Sequence, residues 1–332
     1  MRKRLTIENY KNGILAGDRI ILSQAITIIE SGLTQDRKLA SELLHEILPA
    51  TGNSLRIGIT GVPGVGKSTF IEALGKHITS LGKHLAVLTI DPSSKRSGGS
   101  ILGDKTRMEQ LSHDPLAYIR PSAANLSLGG VARNTRETIL LCEAAGFEVI
   151  IVETVGVGQS ETQVKGMTDF FLLLMLAGAG DELQGLKKGI MEMADAIAIN
   201  KADGDNKTAA ALAVQEYTNA LHLFPKSESG FESKVVSCSA LEQTGISDIW
   251  NIILAYQSSA KTSGFLYKNR QSQNLEWMYE FIRQTLEMSF YGKPLVKKAL
   301  RTVEKSVVSG SELPVKAAQD LLDLFFREDI LD

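Results

Sequence analysis

Cysteine is nearly absent. Cys142 and Cys238 are the only two in 332 residues and form no C-x-x-C pair. A disulfide framework is excluded, which points to a reducing compartment, here expected to be the cytoplasm. The five histidines are scattered and none is paired at ligand spacing, so a Cys/His metal centre is not expected. No sign of charge dominates: 36 Lys and Arg against 38 Asp and Glu give −2, so no global field draws the chain to nucleic acid or to an anionic membrane. Long apolar runs are lacking too. The longest, Phe170 to Ala179, is ten residues, well short of the roughly 20 that cross a bilayer. The basic start Met1-Arg2-Lys3-Arg4 is followed by Glu8, Asn9, Lys11 and Asn12 where an apolar segment would stand, so no secretory signal is expected.

What the chain does have is periodicity. Ile21, Leu22, Ala25, Ile28 and Ile29 repeat at helical spacing behind a candidate N-cap, Asp18, and a second stripe runs from Leu39 to Leu48. From Arg56 the period changes. Short β-branched runs alternate with helical stretches at 56–60, 84–90, 117–120, 148–153, 170–176, 196–200 and 234–237. Several are apolar on both faces, as strands covered by helices on both sides must be. This pattern predicts an α/β fold with a doubly wound, mostly parallel sheet, preceded by N-terminal helices. The polar stretch 258–274 reads as a linker, and apolar stripes beyond it predict a C-terminal helical extension. The expected division is 1–53, 54–257 and 258–332.

Three sets of residues carry chemistry. Gly61-Val62-Pro63-Gly64-Val65-Gly66-Lys67-Ser68 fits G-x-x-x-x-G-K-[ST], a pattern that chance yields in roughly one chain in a hundred of this length. It follows a predicted strand and opens an apolar helix, the context that a phosphate-binding loop requires. Its glycines let backbone N–H groups curl around phosphate, and the helix N-terminus at Ser68 and Thr69 adds partial positive charge. Lys67 supplies a full charge to the terminal phosphates, and the Ser68 hydroxyl can ligate Mg²⁺.

The second set is Asn200-Lys201-Ala202-Asp203 at a strand's end. A carboxylate at Asp203 can accept from both N1–H and the 2-amino group of guanine, a donor pair that adenine lacks. Downstream of a phosphate loop this selects GTP over ATP. Ser239, Ala240 and Leu241 follow the last strand, where a backbone N–H could meet guanine O6; a plain loop is the alternative. The third set is acidic. Asp91 and Glu153 close two strands, where ligands of open α/β sheets bind, and hard Mg²⁺ prefers such oxygens. Solvated loop acids are the competing reading.

Asp91-Pro92-Ser93-Ser94, the run Gly98–Met108, Glu153–Glu161 and Gly180–Gly189 resemble the signatures of the MeaB/ArgK/MMAA-type GTPases, over nearly the whole chain. The resemblance implies a P-loop GTPase acting as a chaperone of an adenosylcobalamin-dependent acyl-CoA mutase, typically methylmalonyl-CoA mutase. Such proteins gate cofactor delivery and protect or reactivate the mutase. It also implies a homodimer joined through the C-terminal helices. By the same resemblance Asp91, Asp104 and Glu153 belong to the magnesium and switch regions, and Gly178–Lys188 to a third switch touching the mutase. No Gln directly follows Gly156; Gln159 lies three residues on. Slow basal hydrolysis is therefore expected, accelerated when a partner orders the loops and Lys187 or Lys188 enters the site. The glycine-dense stretches 97–103 and 178–185 have the chain freedom that such ordering uses. The rivals are a kinase of an arginine/ornithine-type transport system, a metal-insertion GTPase and a non-hydrolysing scaffold.

Overall fold

A computed structural model describes residues 4–90, 108–121, 128–154, 160–178, 188–225 and 227–327. Three helices come first: α1 (Ile7–Leu15), α2 (Arg19–Ile29) and α3 (Thr34–Ile47). The alternating core follows as β1 (Leu55–Gly61), α4 (Lys67–Ser80), β2 (Leu85–Ile90), α5 (Glu109–Ser112), β3 (Ala117–Pro121), α6 (Leu128–Ala144), β4 (Val149–Thr154) and α7 (Ser160–Lys165). It continues with β5 (Phe170–Leu176), α8 (Lys188–Met193), β6 (Ala196–Asn200), α9 (Lys207–Leu221), β7 (Lys234–Ser237) and α10 (Ile246–Thr262). The chain closes with α11 (Phe265–Gly292), α12 (Pro294–Val308) and α13 (Pro314–Arg327).

All seven strands join one sheet in the order β3-β2-β4-β1-β5-β6-β7, and every recorded pair is parallel. Parallel strands need helical crossovers, and these cover the sheet: α4 packs on β1 and β2 and against α10, while α6 and α7 lie on β2, β4 and β1. Both sides of the inner strands are consequently dry. Every residue of β2, β4 and β6 is buried, which is why those stretches are continuously apolar rather than alternating. The run Phe170–Leu176 that could have suggested a membrane segment is strand β5. Among the described residues no helix is long and apolar enough to cross a membrane. The expected Asp18 cap is present, its Oδ1 accepting from Ile20 N–H at 2.8 Å and Ile21 N–H at 3.1 Å.

The chain divides into two compact units, residues 1–273 and 274–332, so α11 crosses the division. The linker reading of 258–274 is corrected: α10 runs to Thr262 and α11 begins at Phe265. Its polar residues serve packing. Arg270 lays its guanidinium across the Asp169 carboxylate at 2.7 and 2.6 Å and donates to Gly52 and Ser54 carbonyls. Gln273 donates to the Thr168 carbonyl at 2.8 Å. Within the second unit, α12 packs on α13 around Val296, Ala317 and Leu321. Leu275, Met278, Ile282 and Leu286 of α11 are exposed.

Helix α4, which starts at the phosphate loop, is tied to the sheet edge through Asp114. That carboxylate accepts from Lys76 Nζ at 2.6 Å, Thr79 Oγ1 at 2.8 Å and Leu116 N–H at 2.9 Å. Burial alone would raise its pKa, but Lys76, the Leu116 N–H and Thr79 outweigh that and hold it at about 2, below the ordinary 3.8. A carboxyl depressed in the folded state contributes stability above its unfolded pKa, and that contribution is lost as pH falls from about 4 through about 2. Asp114→Asn is therefore expected to cost about 1–3 kcal/mol at neutral pH. In urea titrations the gap between variant and parent should close as pH approaches 2; a gap independent of pH would refute the assignment.

Candidate functional site

In a doubly wound sheet the ligand crevice lies beyond the carboxyl ends of the strands, where the crossovers from two adjacent strands run to opposite sides. Here those strands are β1, whose crossover leads to β2, and β4, whose crossover leads to β5 on the other flank. The last residue of β1, Gly61, begins the loop into α4.

The loop's shape follows from its glycines and valines. A Cβ at Gly61 would lie 2.5 Å from the Leu174 carbonyl oxygen of β5, so only glycine lets the turn start against the neighbouring strand. Gly64 and Gly66 have φ of +74° and +88°, the left-handed region. Val62 and Val65 are fully buried and pin the loop, while Pro63 and Gly64 face solvent. Gly66 is the N-cap of α4. The first helical N–H groups and the positive end of the helix dipole therefore lie beside Lys67, half-buried Ser68 and exposed Thr69.

Lys67 Nζ donates to the Gly61 carbonyl at 2.8 Å, bridging the two ends of the loop. Burial lowers its pKa from the ordinary lysine value, while Glu153 and Glu161 pull the other way. Glu153 is buried near the end of β4, in register with Ile59 of β1 and Thr89 of β2. Glu161, which closes the Glu153–Glu161 run, is equally buried in the first turn of α7; nothing in its neighbouring residues indicates that burial. The hydroxyls of Thr60 and Thr154 meet at 2.8 Å between the ends of β1 and β4.

The second motif reaches the same crevice from β6. Asn200 is buried and does not point outward: its Nδ2 donates to the Val65 carbonyl at 2.8 Å, and its Oδ1 accepts from Ala240 N–H at 3.1 Å. Lys201 has φ of +60°, uncommon for a residue with a Cβ, and its stem lies alongside Gly66. Asp203 is half-buried and its Oδ2 accepts from Ser239 Oγ at 2.5 Å. Ser239 and Ala240 are buried, whereas Leu241 is exposed to solvent. The structure thus gathers Gly61 to Thr69, Glu153, Asn200, Lys201, Asp203, Ser239 and Ala240 at one end of the sheet. Asp91, Asp104 and Lys187 lie outside the described residues, as do the glycine-dense stretches apart from Gly178.

Comparison with known proteins agrees with this geometry. The family model described as methylmalonyl Co-A mutase-associated GTPase MeaB matches residues 22–294. The chain belongs to the MeaB family. It is 50% identical over 262 residues to "GTPase ArgK" of Escherichia coli, covering 79% of each chain. It is 43% identical over 329 residues to "Methylmalonic aciduria type A homolog, mitochondrial" of Mus musculus, covering 96% of this chain and 79% of that one. A crystal structure of a protein named "LAO/AO transport system kinase" superimposes with a TM-score of 0.78 at 36% identity, covering 98% and 99% of the two chains. As a member of the MeaB family the protein is a P-loop GTPase.

Proposed function

We propose that this MeaB-family GTPase binds GTP across the crevice between the 61–69 loop and the 200–203 and 239–241 segments. Its nucleotide state then gates cofactor loading and protection of an adenosylcobalamin-dependent acyl-CoA mutase. The observation that carries the nucleotide reading is the Asp203 carboxylate, held by Ser239 at the same carboxyl end of the parallel sheet as the phosphate loop. The mutase reading draws support from the family's description and from the name of the mouse relative.

In this reading the loop amides and Lys67 hold the β- and γ-phosphates, and the reaction is GTP + H₂O → GDP + phosphate. Ser68 and the buried Glu153 present hard oxygen donors where Mg²⁺ accompanies the nucleotide, with Asp91 and Asp104 as further candidates from the sequence. When bound, the ion neutralises phosphate charge. Lys67 adds a fixed ammonium whose desolvation strengthens its pull on the transferring group. Asn200 keeps the base end and the phosphate end in one register.

Basal turnover is expected to be slow and to rise when the mutase orders the switch segments and Lys187 or Lys188 reaches the phosphate. Single-turnover phosphate release with and without an adenosylcobalamin-dependent mutase tests this. An increase of at least tenfold with mutase is the expected result; a fast basal rate indifferent to mutase would overturn it. The exposed apolar residues of α11 favour a homodimer formed through the C-terminal unit. The two buried, free cysteines suit a reducing compartment such as the cytoplasm. The kinase reading, favoured by the name of the superimposed protein, predicts phosphoryl transfer from ATP to a protein acceptor. Competition of ATP against labelled GDP separates the two.

A further inference from the structure

Asn200 holds the two halves of the crevice together, and three groups hold Asn200. Two are backbone, the Val65 carbonyl and the Ala240 N–H. The third is a side chain: Cys238 Sγ–H donates to Asn200 Oδ1 at 3.6 Å, a sulfur hydrogen-bond distance. Both residues are 2% exposed, so water does not compete for either atom. Cys238 immediately precedes a closed turn. Ser239 and Thr244 exchange backbone hydrogen bonds at 3.0 and 3.1 Å, and the turn ends at Gly245, φ +74°. A Cβ there would lie 3.1 Å from Cys238 Cβ and 2.7 Å from the Ser237 carbonyl. Glycine at 245 thus lets the turn close directly against Cys238.

We infer that Cys238 is a positioning residue for nucleotide binding: its S–H orients the Asn200 amide so that Nδ2 keeps the phosphate loop closed, which lengthens the residence of the bound nucleotide. The inference rests on the proposed crevice but assigns a role to a residue outside the expected contact set. Orientation is the function at stake because an amide is nearly symmetric in shape. Oδ1 has two donors, the Ala240 N–H and the Cys238 thiol; with the thiol gone only the first still opposes an exchange of oxygen and nitrogen, which would turn the oxygen to the Val65 carbonyl. Burial pushes the thiol pKa up to about 12, so the donor proton stays in place across physiological pH and the sulfur is a poor nucleophile.

The test compares variants of similar bulk by dissociation of a fluorescent GDP. Cys238→Ala removes the donor and should speed release by about three- to tenfold, the range for one buried hydrogen bond. Cys238→Ser restores a donor on a side chain close in size to alanine and should bring the rate back to within about twofold of the parent. Cys142→Ala, at the other fully buried cysteine, should lower Tm and leave release unchanged. Equal release from the Ala and Ser variants, or release at the parental rate from Cys238→Ala, would overturn the role. Failure of the parent itself to bind GDP would instead refute the crevice assignment, so the two failures are told apart.

Discussion

Replacing Lys67 with alanine is expected to lower the single-turnover rate of GTP hydrolysis by roughly two to three orders of magnitude, the range seen when one preorganised charge-stabilising donor is lost. Lys67 is the charged residue of the loop itself, and it arrives preorganised, its Nζ already held on the Gly61 carbonyl. It is also partly desolvated, with Glu153 and Glu161 favouring its charged form. A cation in such surroundings acts on developing phosphate charge with little reorganisation. Lys67→Arg should rescue poorly, because a planar fork cannot occupy the space of a compact ammonium. Phosphate release at saturating GTP, paired with GDP affinity, is the measurement. The rate should collapse far more than GDP binding. A rate within about threefold of the parent would remove Lys67 from the mechanism.

Asp203→Ala is expected to weaken GDP binding by roughly two to three orders of magnitude, since two hydrogen bonds to a charged acceptor are lost together. Preference over ADP should largely disappear as well, because the carboxylate is the group that separates a purine donating from N1 and its 2-amino group from one that does not. The Ser239 hydroxyl, 2.5 Å from Asp203 Oδ2 and also accepting from Glu242 N–H, holds the carboxylate in one orientation. Ser239→Ala should therefore show a weaker loss of the same kind. Calorimetry with GDP and ADP in parallel reads both effects. Retained guanine preference in the Asp203 variant would refute the base assignment and leave the phosphate loop untouched.

The strands are the most legible part of the chain. All seven appear where period and β-branched composition predict, within one residue at either end; the inner strands are plainest, because a strand buried on both faces must be apolar at every position. The polar stretch 258–274 reads as a linker because composition does not report burial. Its Arg270 and Gln273 are polar residues inside the fold, the first held by Asp169 and the second donating its Nε2 to main-chain carbonyls, in each case more than a hundred positions away. The site divides along the same line. The phosphate loop and the Asp203 segment are visible in the order of the residues, whereas the burial of Glu161 beside Lys67 and the contact of Cys238 with Asn200 are not, because what distinguishes each is its neighbours in space.

Local chemistry is therefore written in the chain alone: glycines where φ is positive, a lysine at a helix's first residue, a carboxylate at a strand's end. These depend on a handful of consecutive residues, and short-range sterics and charge settle them. The tying of Asn200 to Val65, 135 positions earlier, and to Ala240, 40 positions later, belongs to the folded molecule. It depends on β5 and β6 lying side by side next to β1, and that order follows from how helices cover a parallel sheet, a property of the whole core that no short stretch of sequence contains.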